Sequence, residues 1–135
     1  MTDFDAYVPR HKCDIERAEA AVRLGYPEAE PILGRLIEWL QDYNWPVAHI
    51  IAPFLASIGR PVVPQIWLVL RSDDMQWKYW VISQVIRFLP NHVALEFRSE
   101  LERLAYRPEP SERIEYVSEV AGETLHELGC SVPDA

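Results

Sequence analysis

GYPEAEPILGRLIEWLQDYNWP, at residues 25–46, is followed at residues 59–77 by a shorter version of itself, GRPVVPQIWLVLRSDDMQW. The Gly and the first Pro recur 34 residues apart, and the last Trp of each stretch recurs 32 residues apart. Such spacing is typical of paired-helix repeats, in which no unit can bury its apolar face alone. The sequence therefore predicts an all-α, HEAT-like superhelix of about seven helices in antiparallel pairs, forming a single domain over residues 1–135.

Apolar residues at three- and four-residue intervals, together with Pro and Gly, predict where these helices lie. Asp14 is expected to cap the first helix and Gly25 to end it, while Asp73 is expected to cap the fifth. Pro53 falls inside an apolar run whose helical period continues, which predicts a kink and not a break. The predicted helices cover about residues 15–24, 31–41, 46–58, 61–71, 74–88, 92–106 and 111–128.

Charge is unevenly distributed along the chain. There are 13 basic and 21 acidic residues, a net charge of −8. Seven of the acids and one of the bases lie within residues 109–135. Binding to nucleic acid rests on neutralising phosphates, so this balance disfavours it and favours a basic protein partner.

Two further observations bear on the compartment. No apolar run approaches the roughly 20 residues of a membrane span, so no membrane association is expected. The first residues, Met1-Thr2-Asp3-Phe4-Asp5, carry two acids and no continuous apolar segment, which argues against a secretory signal. We therefore expect a cytoplasmic protein.

Residue patterns that support catalysis are missing from the sequence. It has no Gly-rich phosphate loop, no Gly-x-Ser-x-Gly elbow and no P-loop lysine. The four histidines are scattered over four predicted elements, without a pair at metal-binding spacing. Asp73 and Asp74 are adjacent at a helix start, where capping is the simpler role. The sequence thus predicts a protein that is not an enzyme and has no metal or cofactor.

The fifth predicted helix carries the first candidate interface. In paired-helix solenoids the second helix of each unit commonly lines the binding surface, and Trp and Arg are enriched among binding hot spots. The alternative is that Trp77 and Trp80 pack between helices while Lys78 and Arg87 are merely solvated. The candidate binding residues on this surface are Trp77, Trp80, Gln84, Arg87 and His49.

The last predicted helix carries a second candidate interface, a row of acids four residues apart. Like charges at this spacing repel by a few tenths of a kcal/mol per pair. The row is either a solvated helix face or a surface for a basic partner. Its members are Glu115, Glu119, Glu123 and Glu127.

Three segments carry a resemblance to a known family: Asp42-Tyr43-Asn44-Trp45-Pro46-Val47-Ala48, Asp73-Asp74-Met75-Gln76-Trp77-Lys78-Tyr79-Trp80 and Leu89-Pro90. The chain resembles a bacterial family of small stand-alone proteins catalogued as domain of unknown function 5071, from about Pro9 to the last helix. The resemblance implies a HEAT-like helical repeat whose relatives include small proteins thought to neutralise toxins. It implies no functional residues.

The sequence thus predicts a non-catalytic protein-binding module. The leading hypothesis is an immunity or adaptor protein that binds a basic partner, with a toxin encoded nearby as the candidate partner. The alternative is a HEAT-like nucleic-acid-binding or repair-type protein that uses its concave face. That alternative requires a continuous basic groove, formed by Arg71, Lys78, Arg87 and Arg98.

Overall fold

The computed structural model describes residues 3–130, and within that range it is helical and contains no strand. The prediction of an all-α fold is confirmed, while the superhelical arrangement stays a prediction. The α-helices are α1 Ile15–Leu24, α2 Leu33–Ile37, α3 Ala48–Ile58, α4 Val63–Leu70, α5 Met75–Gln84, α6 Asn91–Ala94, α7 Arg98–Tyr106, α8 Pro110–Ile114 and α9 Val117–Glu127. Short 3-10 turns cover Phe4–Tyr7, Glu30–Ile32, Glu38–Leu40, Arg60–Val62, Ile86–Phe88 and Leu95–Phe97.

Local sequence signals set most helix ends. The carboxylate of Asp14 accepts the backbone N–H of Arg17, and Gly25 ends α1 with a φ of +73°, which glycine adopts without steric cost. Helix α3 continues through Pro53, as predicted. The cap of α5 is Asp74 and not Asp73, because its carboxylate accepts the N–H of Trp77 at 3.0 Å.

Four predicted helices are shorter in the structure or are divided. The helix predicted over 31–41 is α-helical only over Leu33–Ile37, and the one predicted over 92–106 is divided into α6 and α7. The other two interruptions bear on the candidate site. The helix predicted over 74–88 ends at Gln84, and a separate 3-10 turn carries Ile86–Phe88. The helix predicted over 111–128 is divided into α8 and α9 by Tyr116, which has a φ of +65°. Both interruptions change which side chains can form a surface together.

The helices pack in pairs. Helix α3 packs on α2, α5 on α4, and α9 on α7, the last pair being the most extensive. Helices α3 and α5 contact each other, as do α5 and α9, so the second members of the three pairs form a continuous row. Burial of large aliphatic side chains along this row, each worth about 1.5–3 kcal/mol, is the main stabilising term. The row includes the fully buried Ile51, Leu55, Ile82 and Leu125.

Within residues 3–130, no single helix has the length and apolar character needed to cross a membrane. The segments Ala48–Ile58 and Arg60–Leu70 meet that test only when joined, and a 115° bend separates them.

Candidate binding cleft between helices α3 and α5

An open cleft of about 440 Å³ lies between α3 and the end of α5. The loop before α3 supplies one wall, and the 3-10 turn after α5 supplies another. We call it the α3–α5 cleft, defined by its lining residues Tyr43, Pro53, Ala56, Ser57, Gln84 and Phe88. The row of second helices therefore presents a concave surface at this point, and one predicted residue, Gln84, lines it.

Aromatic rings cluster around Tyr43 at one side of the cleft. The ring of Tyr43 stacks on Trp80, with 5.3 Å between centroids, and contacts the imidazole of His49 at 4.1 Å. Trp80 also meets Tyr79 edge to face at 4.8 Å. His49 and Trp80, predicted from separate helices, are thus joined to the cleft through Tyr43. Such rings bury large areas at low entropic cost, which suits a binding surface.

Trp80 holds an unsatisfied donor. Its Nε1–H is buried and has no hydrogen-bond acceptor among the residues that the structure describes. A buried donor without a partner costs about 1–3 kcal/mol, and such groups are few in folded proteins. The donor is therefore a feature that the packing of the helices does not explain.

Trp77 has a different environment from Trp80. Its Nε1–H donates to the backbone oxygen of Ile37 at 3.0 Å, and its ring packs against the apolar core. This bond ties α5 to the end of α2. Trp77 thus acts in the fold, as the alternative interpretation of the sequence supposed, while Trp80 stacks on Tyr43 of the cleft.

The same substitution at these two positions is expected to have different effects. Trp77→Phe removes the hydrogen bond to the Ile37 oxygen, so it should lower the free energy of unfolding by about 1 kcal/mol. Trp80→Phe removes an unsatisfied donor, and the stability gained in this way should offset most of the stability lost with the ring contacts. Denaturant titration followed by circular dichroism measures both, and equal losses for the two variants would contradict these assignments.

Arg87 and Phe88 follow the break in α5 and have contrasting contacts. The guanidinium of Arg87 forms a bidentate ion pair with Glu127, which raises the pKa of Arg87 and lowers that of Glu127. Arg87 is therefore not a free cation. The ring of Phe88 is 64% exposed beside the cleft, which is unusual for so large an apolar side chain.

The acidic row is shorter than predicted. Glu115 lies outside α9, because Tyr116 interrupts the helix, and Glu127 is paired with Arg87. Glu119 and Glu123 are exposed and form no ion pair among residues 3–130. The Arg87–Glu127 pair thus joins the first candidate interface to the acidic row.

A buried charge cluster lies on the other side of α5. Lys78 is buried, which corrects the interpretation that it is solvated, and its Nζ lies 3.6 Å from Glu112. Glu112 also accepts two bonds from Arg103, at 2.8 and 3.2 Å, and the N–H of Glu109 at 2.7 Å. Burial opposes the ionised form of Glu112, but these bonds outweigh it and lower its pKa.

The basic groove required for nucleic acid is not assembled. Lys78 is buried against Glu112 and Arg87 is paired with Glu127. Arg98 is paired with Glu102 at 3.3 Å, which leaves Arg71 as the unpaired member of the predicted set within the described residues. In the same part of the chain, no three His, Cys, Asp or Glu side chains come close enough to hold a metal ion.

The sequence analysis missed five of the six residues that line the cleft, including both aromatic ones. Tyr43 lies in the Asp42–Pro46 motif, where its role could have been suspected from the concentration of aromatic residues. Phe88 lies two residues before Pro90, and Leu89, the residue before the proline, is driven out of the α conformation. That signal predicted a helix end at residue 88, whereas α5 ends at Gln84, and it did not show that Phe88 would be exposed.

Comparison with known families gives a match over most of the chain. Residues 7–125 match the family described as Domain of unknown function (DUF5071). A comparison with curated proteins finds no match.

Proposed function

Because the chain belongs to the DUF5071 family, whose name assigns no activity, we propose from the geometry that it is a non-catalytic module that binds another protein. The α3–α5 cleft is its binding surface. The observation that carries the proposal is the combination of an exposed Phe88, a Tyr43–Trp80 stack and a polar Gln84 around one concave opening. Exposed aromatic groups next to a groove are typical of binding hot spots.

The charge distribution supports a basic partner. Glu119 and Glu123 are exposed on α9, the helix that also carries Glu127. Glu127 is paired with Arg87, the neighbour in the chain of Phe88 of the cleft. Charges at the rim of an apolar interface that are opposite to those of the partner raise the association rate, and they contribute less to the final affinity. A toxin encoded by a neighbouring gene is the candidate partner, and an immunity or adaptor role in the cytoplasm is the corresponding function.

Removing the free acids should slow association with that partner. In Glu119→Gln/Glu123→Gln, the association rate should fall at low salt and its dependence on salt should flatten, because two steering charges are lost. Stopped-flow or biosensor kinetics with the purified product of the neighbouring gene measures both quantities. The dissociation rate should stay nearly unchanged.

The matched control is Glu28→Gln/Glu30→Gln, which removes two exposed acids from the N-terminal half of the chain. If both double variants slow association equally, only net charge matters and the position of the acids on α9 does not. If the neighbouring gene product does not bind the unmodified protein, the candidate partner is wrong.

A further inference from the structure

A second cavity, of about 300 Å³, lies between the end of α4 and helix α7. It shares no lining residue with the α3–α5 cleft. We call it the arginine cavity. Its lining residues are Trp67, Arg71, Ser99, Glu100, Arg103 and Arg107.

Two of its three guanidinium groups have no carboxylate partner in the described part of the chain. Arg103 is held by Glu100 at 2.6 Å and by Glu112, so its position is fixed. Arg71 and Arg107 form no ion pair among residues 3–130. Arg71 lies over the indole of Trp67, 5.3 Å from the ring centroid, an arrangement that orients its guanidinium without neutralising it.

The local charge is opposite to that of the whole chain. Three of the six lining residues are arginines, Arg71, Arg103 and Arg107, and one carries a carboxylate, Glu100. The excess is therefore two positive charges, in a chain whose net charge is −8. Unpaired like charges near one another are a cost unless an anion offsets them.

The size and donor chemistry of the cavity fit a phosphate group. Guanidinium groups bind phosphate oxygens through paired hydrogen bonds, and a dianion would neutralise the excess charge. Ser99 also lines the cavity, and its hydroxyl is a neutral donor. A cavity of this volume accepts a phosphate together with a short carbon chain, whereas a long polyanion would meet the acidic surface of the rest of the chain.

We propose that the arginine cavity binds the dianionic phosphate of a small phosphomonoester, through Arg71 and Arg107, with Arg103 as a fixed third positive group. The site is independent of the α3–α5 cleft. A phosphorylated side chain and a sugar phosphate share this chemistry.

The test is a ¹H–¹⁵N spectrum of the full chain, in which the indole resonance of Trp67 reports on the cavity. At about pH 7.5 phosphate is mainly dianionic. Inorganic phosphate, O-phosphoserine and glucose 6-phosphate should each shift the Trp67 resonance saturably, while acetate at equal ionic strength should not. The ester with the lower dissociation constant shows whether the cavity prefers a phosphorylated side chain or a sugar phosphate.

Arg71→Gln/Arg107→Gln should weaken binding by about a hundredfold, since each charge-assisted contact contributes roughly tenfold. Arg23 is an exposed arginine of α1 that forms no ion pair with any described residue, and Arg23→Gln should leave the titration unchanged. Unaltered indole resonances of Trp39, Trp45, Trp77 and Trp80 verify that the double variant is folded.

The proposal is overturned if no phosphate compound shifts Trp67, if acetate shifts it equally, or if the double variant binds as well as the unmodified protein. Binding of inorganic phosphate without either ester would overturn the assignment to a phosphomonoester. A response to duplex DNA without a response to the esters would overturn it as well.

Discussion

Glu112→Ala is expected to lower the free energy of unfolding by about 3–5 kcal/mol. Glu112 is 3% exposed, and its carboxylate is the shared partner of Lys78 and Arg103. Removing it leaves the ammonium of Lys78, which is 5% exposed, without a compensating charge. Denaturant titration measures the loss, and a value below about 1 kcal/mol would show that the cluster behaves like an exposed ion pair.

A double variant separates charge from packing in this cluster. Lys78→Met/Glu112→Leu replaces both buried charges by apolar groups, while Arg103 keeps Glu100. Buried ion pairs replaced as a unit often cost little, so the double variant should regain much of the stability lost in Glu112→Ala. If the stability losses of Lys78→Met and Glu112→Leu add up to the loss of the double variant, the two residues do not interact directly.

Acid should also weaken the cluster. Burial alone would raise the pKa of Glu112, but the bonds from Arg103 and the Glu109 N–H favour the carboxylate and hold the pKa in the folded chain below its ordinary value of 4.5. Its contribution is therefore complete above pH 4.5 and is lost as the pH falls through the lower, folded-state value. Glu112→Gln should accordingly lose less stability than the unmodified protein on acidification below that pH.

The ends of helices α1 and α3 could be predicted because local chemistry determines them. Asp14 caps the first turn of α1, Gly25 adopts a positive φ, and the apolar period around Pro53 was sufficient to predict a continuous helix. Each of these effects acts within a few residues. A sequence therefore contains nearly all the information needed to place such boundaries.

The break between α8 and α9 could not be predicted in the same way. The apolar period runs through Tyr116, and a bulky residue at positive φ is uncommon. Helix α8 turns Glu112 toward Lys78 on α5 and toward Arg103 on α7, contacts distant along the chain. We infer that this burial outweighs the local preference for one long helix.

The candidate site was predictable only in part, for the same reason. The repeat and its helical period predicted that Trp80, Gln84 and His49 face a common surface, and the structure brings them around Tyr43 and the cleft. The separation of Trp77 from Trp80 depends on which indole reaches an acceptor on another helix. The pairing of Arg87 with Glu127 spans 40 residues and has no local signal.

Loss of the exposed ring beside the cleft should have the largest effect on partner binding. Phe88→Ser is expected to raise the dissociation rate about thirtyfold, which corresponds to about 2 kcal/mol for a hot spot. Phe88 is 64% exposed, so its removal should change the stability of the free protein little. Arg87→Ala should have a smaller effect than Phe88→Ser, because its guanidinium is already bound by Glu127.

Leu68→Ser is the matched control, since Leu68 is 62% exposed on α4 and does not line the cleft. The deciding measurement is the dissociation rate of the partner from the unmodified protein, from Phe88→Ser and from Leu68→Ser, at equal stability. If the α3–α5 cleft is the binding surface, the partner should dissociate rapidly from Phe88→Ser and not from the other two proteins. Dissociation rates that are the same for all three proteins, or faster from Leu68→Ser alone, would contradict the assignment of the cleft as the binding surface.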